Sequence, residues 1–474
     1  MLPALVARYP QMSDYPAHLA RWHVMLNIGH SADLARFYRF TWEWTPNLGT
    51  DLLIRPLAAM FGLELAGRIL VATIPALLGL SFLATDLALN RRVGPGALLA
   101  LATVWSPSLL LGFLNFSLAE ALAFFAFALW IVLAGKRWRP ALFLVIAPLV
   151  WLCHLSGWGI LGVLVFGYEW SVRRGAKDLL RAILATWPLW PPAALLVFFG
   201  AGASGALTYG SGAVTDKLSN WVMGLRDQAA MLDLLTMALL VALPLIAWGR
   251  GLIDGRLGWA AVMLAVLTFV MPRHFGGGDF ADYRLVPVAL AAGCLAVRLP
   301  ALSGRRLFVV MALAALPFAM RLAVTTAAWD RDSRQTTAML GALDHVPQGA
   351  VVAGAWAYHE ANWQQPPFSH LFAYATVRRD ALTNAHFAIP GLHMLQLVQP
   401  DPAFVDPGQR IAVAEGVPVD LSQFAPAQST PTRRAEYLWY IGDLAPSHLP
   451  AGAVIVQRTE HSLLARLANP VVRR

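Results

Sequence analysis

The chain contains a succession of apolar runs, and this feature constrains its fold more than any other. Runs long enough to cross roughly 30 Å of hydrocarbon as a helix occur at 66–89, 94–112, 116–134, 179–199, 229–248 and 306–325, with shorter ones at 257–271 and 284–298. Only 13% of the 474 residues are charged, which is too few to cover a water-soluble protein of this length. We therefore expect an α-helical polytopic membrane protein.

The run at 139–171 is too long for one span. Its centre contains His154, Ser156 and two glycines, a polar break that predicts two short spans and about ten spans in all. With this division the loops at 90–93, 135–140, 171–181, 249–257 and 298–306 hold 14 Lys and Arg residues, whereas the loops at 105–115, 153–157, 200–228 and 272–284 hold 4. Because cytoplasmic loops are enriched in basic residues, the first set is predicted to be cytoplasmic.

Three regions follow from this topology. Residues 1–62 form an outer-face segment, 63–326 the transmembrane helical domain, and 327–474 a small soluble α/β domain outside the cytoplasm, with strand-like runs at 350–353 and 453–456. Both termini then face outward. We expect either that a preceding span is missing or that 1–60 are translocated unaided, and we favour the missing span.

The outer-face segment mixes charges with Trp22, Trp42 and Trp44, a pattern typical of amphipathic helices that lie in the membrane interface. The net charge of +9 comes from short basic clusters between apolar runs, so we interpret it as a topology signal and expect no nucleic acid partner. Cys153 and Cys294 lie in apolar segments and indicate no disulfide framework.

The strongest candidate for chemistry is the segment 13–21, SDYPAHLAR. Asp14 precedes a predicted helix and His18 lies one turn further on, so both side chains can face the same side. Asp14 could serve as a general base. The alternative is that Asp14 is the N-cap of the helix, with Pro16 in its first turn, and the two interpretations are compatible.

A second cluster occupies 273–284, between two predicted spans on the outer face. It includes Arg273, Asp279, Asp282 and Arg284. An arginine that enters a span must pair or extend to the interface, so Arg284 and Arg273 are candidates to bind a phosphate. The alternative is an ion pair with Asp279 or Asp282.

Asn115 and His154 lie at the predicted outer ends of spans, where with Asp282 they could line a cavity between helices. The alternative for each of the two is a cap or an interface group. Four histidines of the tail, His359, His370, His386 and His393, have no spacing typical of a zinc site. We predict that they are ordinary domain residues, as is Glu360, and we name no metal ligand.

Taken in order, DYPAHLAR at 14–21, PNLG at 46–49, GFLNF at 112–116, CHLSGW at 153–158 and DYRLVP at 282–287 form a series. It resembles bacterial multi-span membrane proteins with an Asp-Gly-Pro-Ala-His-Leu type motif, which are placed near the C-type (GT-C) glycosyltransferases. The resemblance implies transfer of a sugar from a polyprenyl-phosphate carrier, with Asp14 activating the acceptor in the first outer loop. It also implies the bacterial inner membrane as the location.

From these residues we expect Asp14 to accept the acceptor proton, His18 to orient it, and Arg284, with Arg273, to stabilise the lipid-phosphate leaving group. The expected partners are a polyprenyl-phosphate sugar lipid, a glycan, lipid or protein acceptor, and the membrane. No cofactor is required, although a divalent Mg or Mn ion is compatible with the site.

Two other classes remain open. A lipid or polysaccharide transporter or flippase should carry ionisable groups near the middle of its spans, and the predicted spans have no acidic residue there. A non-catalytic scaffold in an envelope-polysaccharide complex would tolerate replacement of Asp14 and Arg284.

Overall fold

The computed structural model describes residues 1–173, 178–194, 207–210, 212–275, 278–299, 302–358, 363–364, 367–388, 393–398, 411–414 and 435–468. These residues form two compact units. The helical unit consists of Met1–Pro3, Trp44–Leu53 and Ile69–Ala327, and the sheet unit consists of Ala4–Glu43, Ile54–Arg68 and Ala328–Arg474. The chain is therefore mainly helical, with a β-sheet region near its C-terminus.

The helices are α1 (Leu2–Val6), α2 (Tyr15–Asn27), α3 (Ala32–Phe37), α4 (Gly49–Phe61), α5 (Leu63–Asn90), α6 (Pro95–Ala100), α7 (Pro107–Leu111), α8 (Leu114–Val132), α9 (Arg139–Cys153), α10 (Leu155–Arg173), α11 (Asp178–Ala185), α12 (Ala213–Val222), α13 (Ala230–Gly249), α14 (Gly255–Val270), α15 (Leu285–Leu295), α16 (Gly304–Leu340) and α17 (Tyr374–Arg379). Short 3-10 turns occupy Leu101–Thr103, Trp187–Leu189, Gly341–His345, Leu371–Ala373 and Pro446–His448.

Four helical stretches among the described residues are long and apolar enough to cross a membrane: Leu63–Asn90, Leu114–Val132, Ala230–Gly249 and Gly304–His345, which counts the turn after α16. Shorter apolar stretches of 10 to 17 residues are Pro95–Leu111, Arg139–Cys153, Gly255–Val270 and Leu285–Leu295. The arrangement of about ten spans is not established by these lengths and stays a prediction.

The predicted break in the run at 139–171 is present. Helix α9 ends at Cys153, His154 is extended with φ −164° and ψ 134°, and α10 begins at Leu155. Because the extended His154 interrupts the helical backbone, α9 and α10 are separate helices.

The single span predicted at 94–112 is instead interrupted. Helix α6 and a 3-10 turn are followed by an extended Ser106, and α7 restarts at Pro107 and ends at a left-handed Gly112 with φ 102°. A proline disfavours the helical conformation in the residue before it and is well suited to the first position of a helix, which matches the extended Ser106 and the restart at Pro107. Glycine readily adopts the left-handed conformation that ends a helix. The span predicted at 179–199 contains α11 and a 3-10 turn, and its last residues lie outside the described part of the chain.

The sheet unit contains a six-stranded mixed sheet. Its strands are β2 (Val351–Tyr358), β3 (Leu382–Thr383), β5 (Ile411–Ala414), β6 (Tyr437–Ile441), β7 (Val454–Arg458) and β8 (Ser462–Arg466), in the order β3-β2-β6-β8-β7 with β5 also paired to β2. Strands β3, β5 and β6 run parallel to β2, and β8 is antiparallel to β6 and β7. The strand-like runs predicted at 350–353 and 453–456 are confirmed as parts of β2 and β7.

The N-terminal segment supplies part of the core of the sheet unit. Strand β1 (Tyr38–Phe40) pairs antiparallel with β4 (Leu395–Leu397). Val24 and Phe37 pack in the same buried cluster as Val351 and Leu438 of the sheet. Burying these side chains stabilises the unit through the hydrophobic effect.

Helix α2 differs from the interfacial helix that was predicted. Trp22 is fully buried, and so are residues on nearly every side of the helix, whereas Trp42 and Trp44 are exposed. A helix buried all round is a core helix. The interface prediction is therefore wrong for Trp22, because α2 packs against the turn Leu371–Ala373 and against α17.

Candidate functional site

Four of the five motif segments lie in the helical unit: 46–49, 112–116, 153–158 and 282–287. The fifth, 14–21, lies in the sheet unit. We describe the two sets of side chains separately.

Asn115 connects the first turn of α8 to the beginning of α4 through hydrogen bonds. Its Nδ2 donates to the main-chain O of Asn47 at 2.7 Å and to Asn47 Oδ1 at 2.9 Å, and Thr50 N donates to its Oδ1 at 2.6 Å. The first N–H groups of a helix have no partner inside it, so Asn115 satisfies one of those of α4. These contacts match the interface-group interpretation of Asn115.

The segment 46–49 also holds the chain on both sides of His154. Leu48 N donates to Leu152 O at 2.9 Å, and Leu155 N donates to Pro46 O at 3.0 Å. A Cβ on Gly49 would lie 2.3 Å from Cys153 Sγ, so only glycine allows this approach. The segment 46–49 thus holds the backbone on both sides of the extended His154.

The hydrogen bonds of His154 identify its tautomer. Ser156 N donates to His154 Nδ1 at 3.1 Å, so Nδ1 carries a lone pair and the proton of the neutral ring is on Nε2. This Nε2 lies 3.4 Å from Arg284 Nη1. Arginine only donates, so two donors face each other, and an oxygen between them would accept from both.

Aromatic rings surround this donor pair. The Arg284 guanidinium lies 3.7 Å from the centroid of the Phe113 ring, and His154 meets Phe116 edge-on at 5.6 Å. Only 9% of Arg284 is exposed, and its Nη2 donates to Asp279 O at 2.8 Å. Burial beside aromatic faces strengthens the attraction of a guanidinium for an anion because little water competes.

Arg273 and Asp282 have protein partners. Arg273 Nε donates to Asp279 Oδ1 at 3.0 Å, and His274 Nε2 lies 3.2 Å from the same oxygen. Asp282 is 1% exposed and forms an ion pair with Lys217, and Asn220 Nδ2 donates to it at 2.9 Å. The ion-pair alternative therefore describes Arg273 with Asp279, while Asp282 pairs with Lys217, which no motif of the sequence indicates.

In the sheet unit, Asp14 occupies the N-cap position of α2, but its side chain makes no capping hydrogen bond. Its carboxylate Oδ1 lies 3.6 Å from His370 Nε2, and the two side chains are 17% and 0% exposed. His370 precedes the turn Leu371–Ala373, which packs on α2. The fold thus brings a tail histidine to the predicted base.

Three histidines surround Phe387. Its ring centroid lies 5.5 Å from that of His18, 5.4 Å from that of His370 and 5.9 Å from that of His393. His18 also stacks on Trp22, and Arg21 Nη2 lies 3.5 Å from His18 Nδ1. We call Asp14, His18, Arg21, His370, Phe387 and His393 the histidine cluster.

Burial in this cluster, and secondarily the charge of Arg21, lowers the pKa of His393 to about 4. The ring is therefore neutral at pH 7. The sequence predicts His370 and His393 to be ordinary domain residues, because the approach of His370 to Asp14 and the contact of both histidines with Phe387 arise only in the folded chain. His359 and Glu360 lie outside the described residues. Within the described ranges, no group of three or more His, Cys, Asp or Glu side chains is arranged to hold a metal ion.

Comparisons of the chain with protein-family models, with curated proteins and with solved structures found no match. The resemblance to GT-C glycosyltransferases therefore rests on the motif residues themselves.

Proposed function

We propose that the chain is a membrane glycosyltransferase that moves a sugar from a polyprenyl-phosphate donor to an extracytoplasmic acceptor. The acceptor hydroxyl oxygen forms a bond to C1 of the sugar as the bond from C1 to the phosphate oxygen breaks. The polyprenyl phosphate leaves with the bonding electron pair, and Asp14 takes the proton of the hydroxyl. Atoms and charge balance without an oxidant or a reductant.

The donor pair of His154 Nε2 and Arg284 Nη1 carries this proposal. A phosphate oxygen is an acceptor with a negative charge, and it can receive both N–H groups. The negative charge on the phosphate grows as the bond to C1 breaks, so a buried guanidinium stabilises the transition state more than the ground state. The aromatic rings of Phe113 and Phe116 lie beside the Arg284 guanidinium, and Arg284 is largely buried.

Asp14 is the base in this proposal because its carboxylate is partly exposed and has the imidazole of His370 nearby, with Nε2 at 3.6 Å. A carboxylate used as a general base increases a rate by about 10² to 10⁴. His18 lies one turn along α2, where it can orient the acceptor. We assign no catalytic step to Arg273, since Asp279 already neutralises it.

The membrane setting belongs to the same proposal. We infer about ten spans from the apolar runs, and both termini outside the cytoplasm from the distribution of Lys and Arg. The resemblance to GT-C glycosyltransferases implies the bacterial inner membrane. A polyprenyl-phosphate sugar is an amphiphile whose tail needs lipid, and the acceptor would be a glycan, a lipid or a protein. A divalent Mg or Mn ion is compatible with this chemistry but not required by it.

A transporter is the competing proposal, for which the buried pair of Arg321 and Asp233 is the relevant feature. Arg321 is 2% exposed, and it also donates to Leu225 O and to Trp105 O, each at 2.9 Å. A guanidinium bonded to two main-chain carbonyls and to a carboxylate is a fixed clamp between segments, whereas a proton relay needs groups that change partners. We therefore favour sugar transfer.

Sugar transfer from a panel of radiolabelled polyprenyl-phosphate sugars, in membranes with matched protein levels, tests the proposal. We expect transfer by the wild type, and a loss of about 100-fold or more in Asp14→Asn and in Arg284→Ala. Arg298→Ala is the matched control, because Arg298 pairs with Asp254 away from the site, and it should retain transfer.

Two outcomes would contradict the proposal in different ways. Full activity in both Asp14→Asn and Arg284→Ala would keep the reaction but exclude these residues. No transfer from any donor, by a protein that melts like a folded chain, would exclude the polyprenyl-phosphate sugars tested as substrates.

A further inference from the structure

His370 is held in one orientation by the main chain. Its Nδ1 lies 3.2 Å from the carbonyl oxygen of Ala385. A carbonyl only accepts, so Nδ1 carries a proton and donates it. In the neutral ring, Nε2 then has a lone pair, and this lone pair is the side of the ring that lies 3.6 Å from Asp14 Oδ1.

A neutral His370 and an ionised Asp14 therefore present two acceptors to each other. The separation of 3.6 Å is too long for a direct hydrogen bond, and lone pairs at that distance repel. One added proton turns the repulsion into a charge-assisted hydrogen bond, which is among the stronger contacts in proteins. The arrangement favours the uptake of one proton by the pair.

Among the described residues, the other charged or titratable groups of the histidine cluster come from two segments. Helix α2 contributes His18 and Arg21, and the segment around Phe387 contributes His393. Arg21 repels a proton arriving anywhere in the cluster. Burial and this charge together lower the pKa of His393 to about 4, so His393 does not compete for the proton above that pH.

We infer that Asp14 and His370 form a proton-sharing pair, in which Asp14 takes the acceptor proton and His370 Nε2 then holds it until it returns to solvent through the partly exposed carboxylate of Asp14. His370 is a positioning residue, because it acts through Asp14. The inference deepens the proposed function and rests on it for the role of Asp14 as base. The proton leaves the acceptor oxygen, passes through Asp14 to His370, and restores the carboxylate for the next turnover.

The pair can be observed without sugar transfer. In full-length protein labelled with ¹⁵N-histidine, the ring signals of His370 are assigned by their loss in His370→Asn. Asparagine can still donate to Ala385 O but has no atom in place of Nε2. We expect the ring of wild-type His370 to keep its second proton to a pH higher by about one unit or more than in Asp14→Asn, because a nearby carboxylate favours the imidazolium.

A matched control exists in the same unit. His23 Nε2 lies 2.7 Å from Asp380 Oδ1, so Asp380→Asn should change the titration of His23 and leave that of His370 unchanged. If Asp14→Asn leaves the titration of His370 unchanged while the protein is folded, the proton-sharing pair is refuted. This result would not depend on whether any sugar donor had been found.

The pH profile of transfer gives the second measurement. Because the protonated pair cannot accept another proton, the rate of the wild type should fall at low pH. In His370→Asn we expect a slower maximum and a fall that begins about one pH unit lower or more, since the remaining carboxylate binds a proton less tightly. A slower rate with an unchanged pH profile would show that His370 only supports the structure. If the wild type transfers sugar, but Asp14→Asn does not change the titration of His370 and His370→Asn does not change the pH profile, this inference is overturned and the proposed function stands.

Discussion

Two histidines of the chain occur as opposite tautomers, and their main-chain contacts set the difference. Ser156 N donates to Nδ1 of His154, which leaves Nε2 as a donor beside Arg284. His370 Nδ1 donates to Ala385 O, which leaves Nε2 as an acceptor beside Asp14. One ring is suited to an anion and the other to a proton, as the proposed reaction requires.

Substitutions at His154 separate the two ring nitrogens. Asparagine keeps an acceptor for Ser156 N but removes the donor at Nε2, whereas glutamine keeps a donor near the position of Nε2. We expect His154→Asn to weaken donor binding about tenfold, the value of one hydrogen bond to a charged group, and His154→Gln to bind more tightly than His154→Asn. Equilibrium binding of a labelled polyprenyl-phosphate sugar measures this. Equal affinity in both variants would contradict the assigned tautomer.

His386 should make the sheet unit sensitive to acid. Its side chain is fully buried, with Nε2 within 2.8 Å of Tyr38 Oη. Burial lowers its pKa to about 3. The unfolded chain binds this proton near pH 6.5, whereas the folded chain does not. The contribution of neutral His386 to the free energy of unfolding is therefore fully present above pH 6.5 and is lost as the pH falls toward 3, by about 1.4 kcal/mol per pH unit.

His386→Gln tests this origin of the acid sensitivity. We expect a lower free energy of unfolding at pH 7 but a smaller loss between pH 6.5 and pH 4.5 than in the wild type. His393 keeps part of the dependence, since its pKa is also lowered. Thermal melts of the full chain at both pH values measure the difference. Parallel losses in the two proteins would assign the acid sensitivity to other groups.

At the scale of elements, the close approach of α10 to α8 depends on a single glycine. A Cβ at Gly157 would lie 2.4 Å from Ala119 Cβ and 2.9 Å from its carbonyl carbon, whereas a Cβ at Gly159 would meet nothing within 4 Å. The two helices begin beside Asn115 and His154, so the distance between the helices also sets the distance between these two residues.

Alanine at these two positions gives a matched comparison. Gly157→Ala should push the helices apart, destabilise the protein by about 1 to 3 kcal/mol, and weaken donor binding. Gly159→Ala should leave binding unchanged and stabilise α10 by up to about 1 kcal/mol. Melting temperatures and donor affinity of the two variants measure this. Equal melting temperatures would show that α10 and α8 can separate without cost.

The sequence predicts elements well where a local signal determines them. Two examples are the polar break at His154 and the strand-like run that begins β2. The sequence predicts elements less well where packing between distant segments determines the outcome. For α2, the composition predicts a helix in the membrane interface, but the folded chain buries it. The interruption at Ser106 does have a local signal, which is Pro107. The length of the apolar run nevertheless favours a single span at 94–112.

At the scale of the whole molecule, the same distinction applies to the candidate site. Asp14, His154 and Arg284 could be named from motifs. His370 could not, because it lies more than 350 residues from Asp14 along the chain and no motif spacing relates them. The ion pair of Asp282 with Lys217 was missed for the same reason.

The topology of the chain is testable by cysteine labelling, since Cys153 and Cys294 are buried and should give little background. We expect an impermeant maleimide to label Thr215→Cys on intact cells and Lys136→Cys only after permeabilisation, because the loops at 200–228 and 135–140 are predicted on opposite faces. Both positions are exposed. Labelling of both from outside would contradict the predicted topology.

Donor binding and sugar transfer, measured on the same purified samples, test the proposed function most directly. We predict that the wild type binds and transfers from one polyprenyl-phosphate sugar, that Asp14→Asn binds it with similar affinity but transfers about 100-fold or more slowly, and that Arg284→Ala loses binding about tenfold or more. A wild type that binds none of these donors, or an Asp14→Asn variant that transfers at the wild-type rate, would contradict the account.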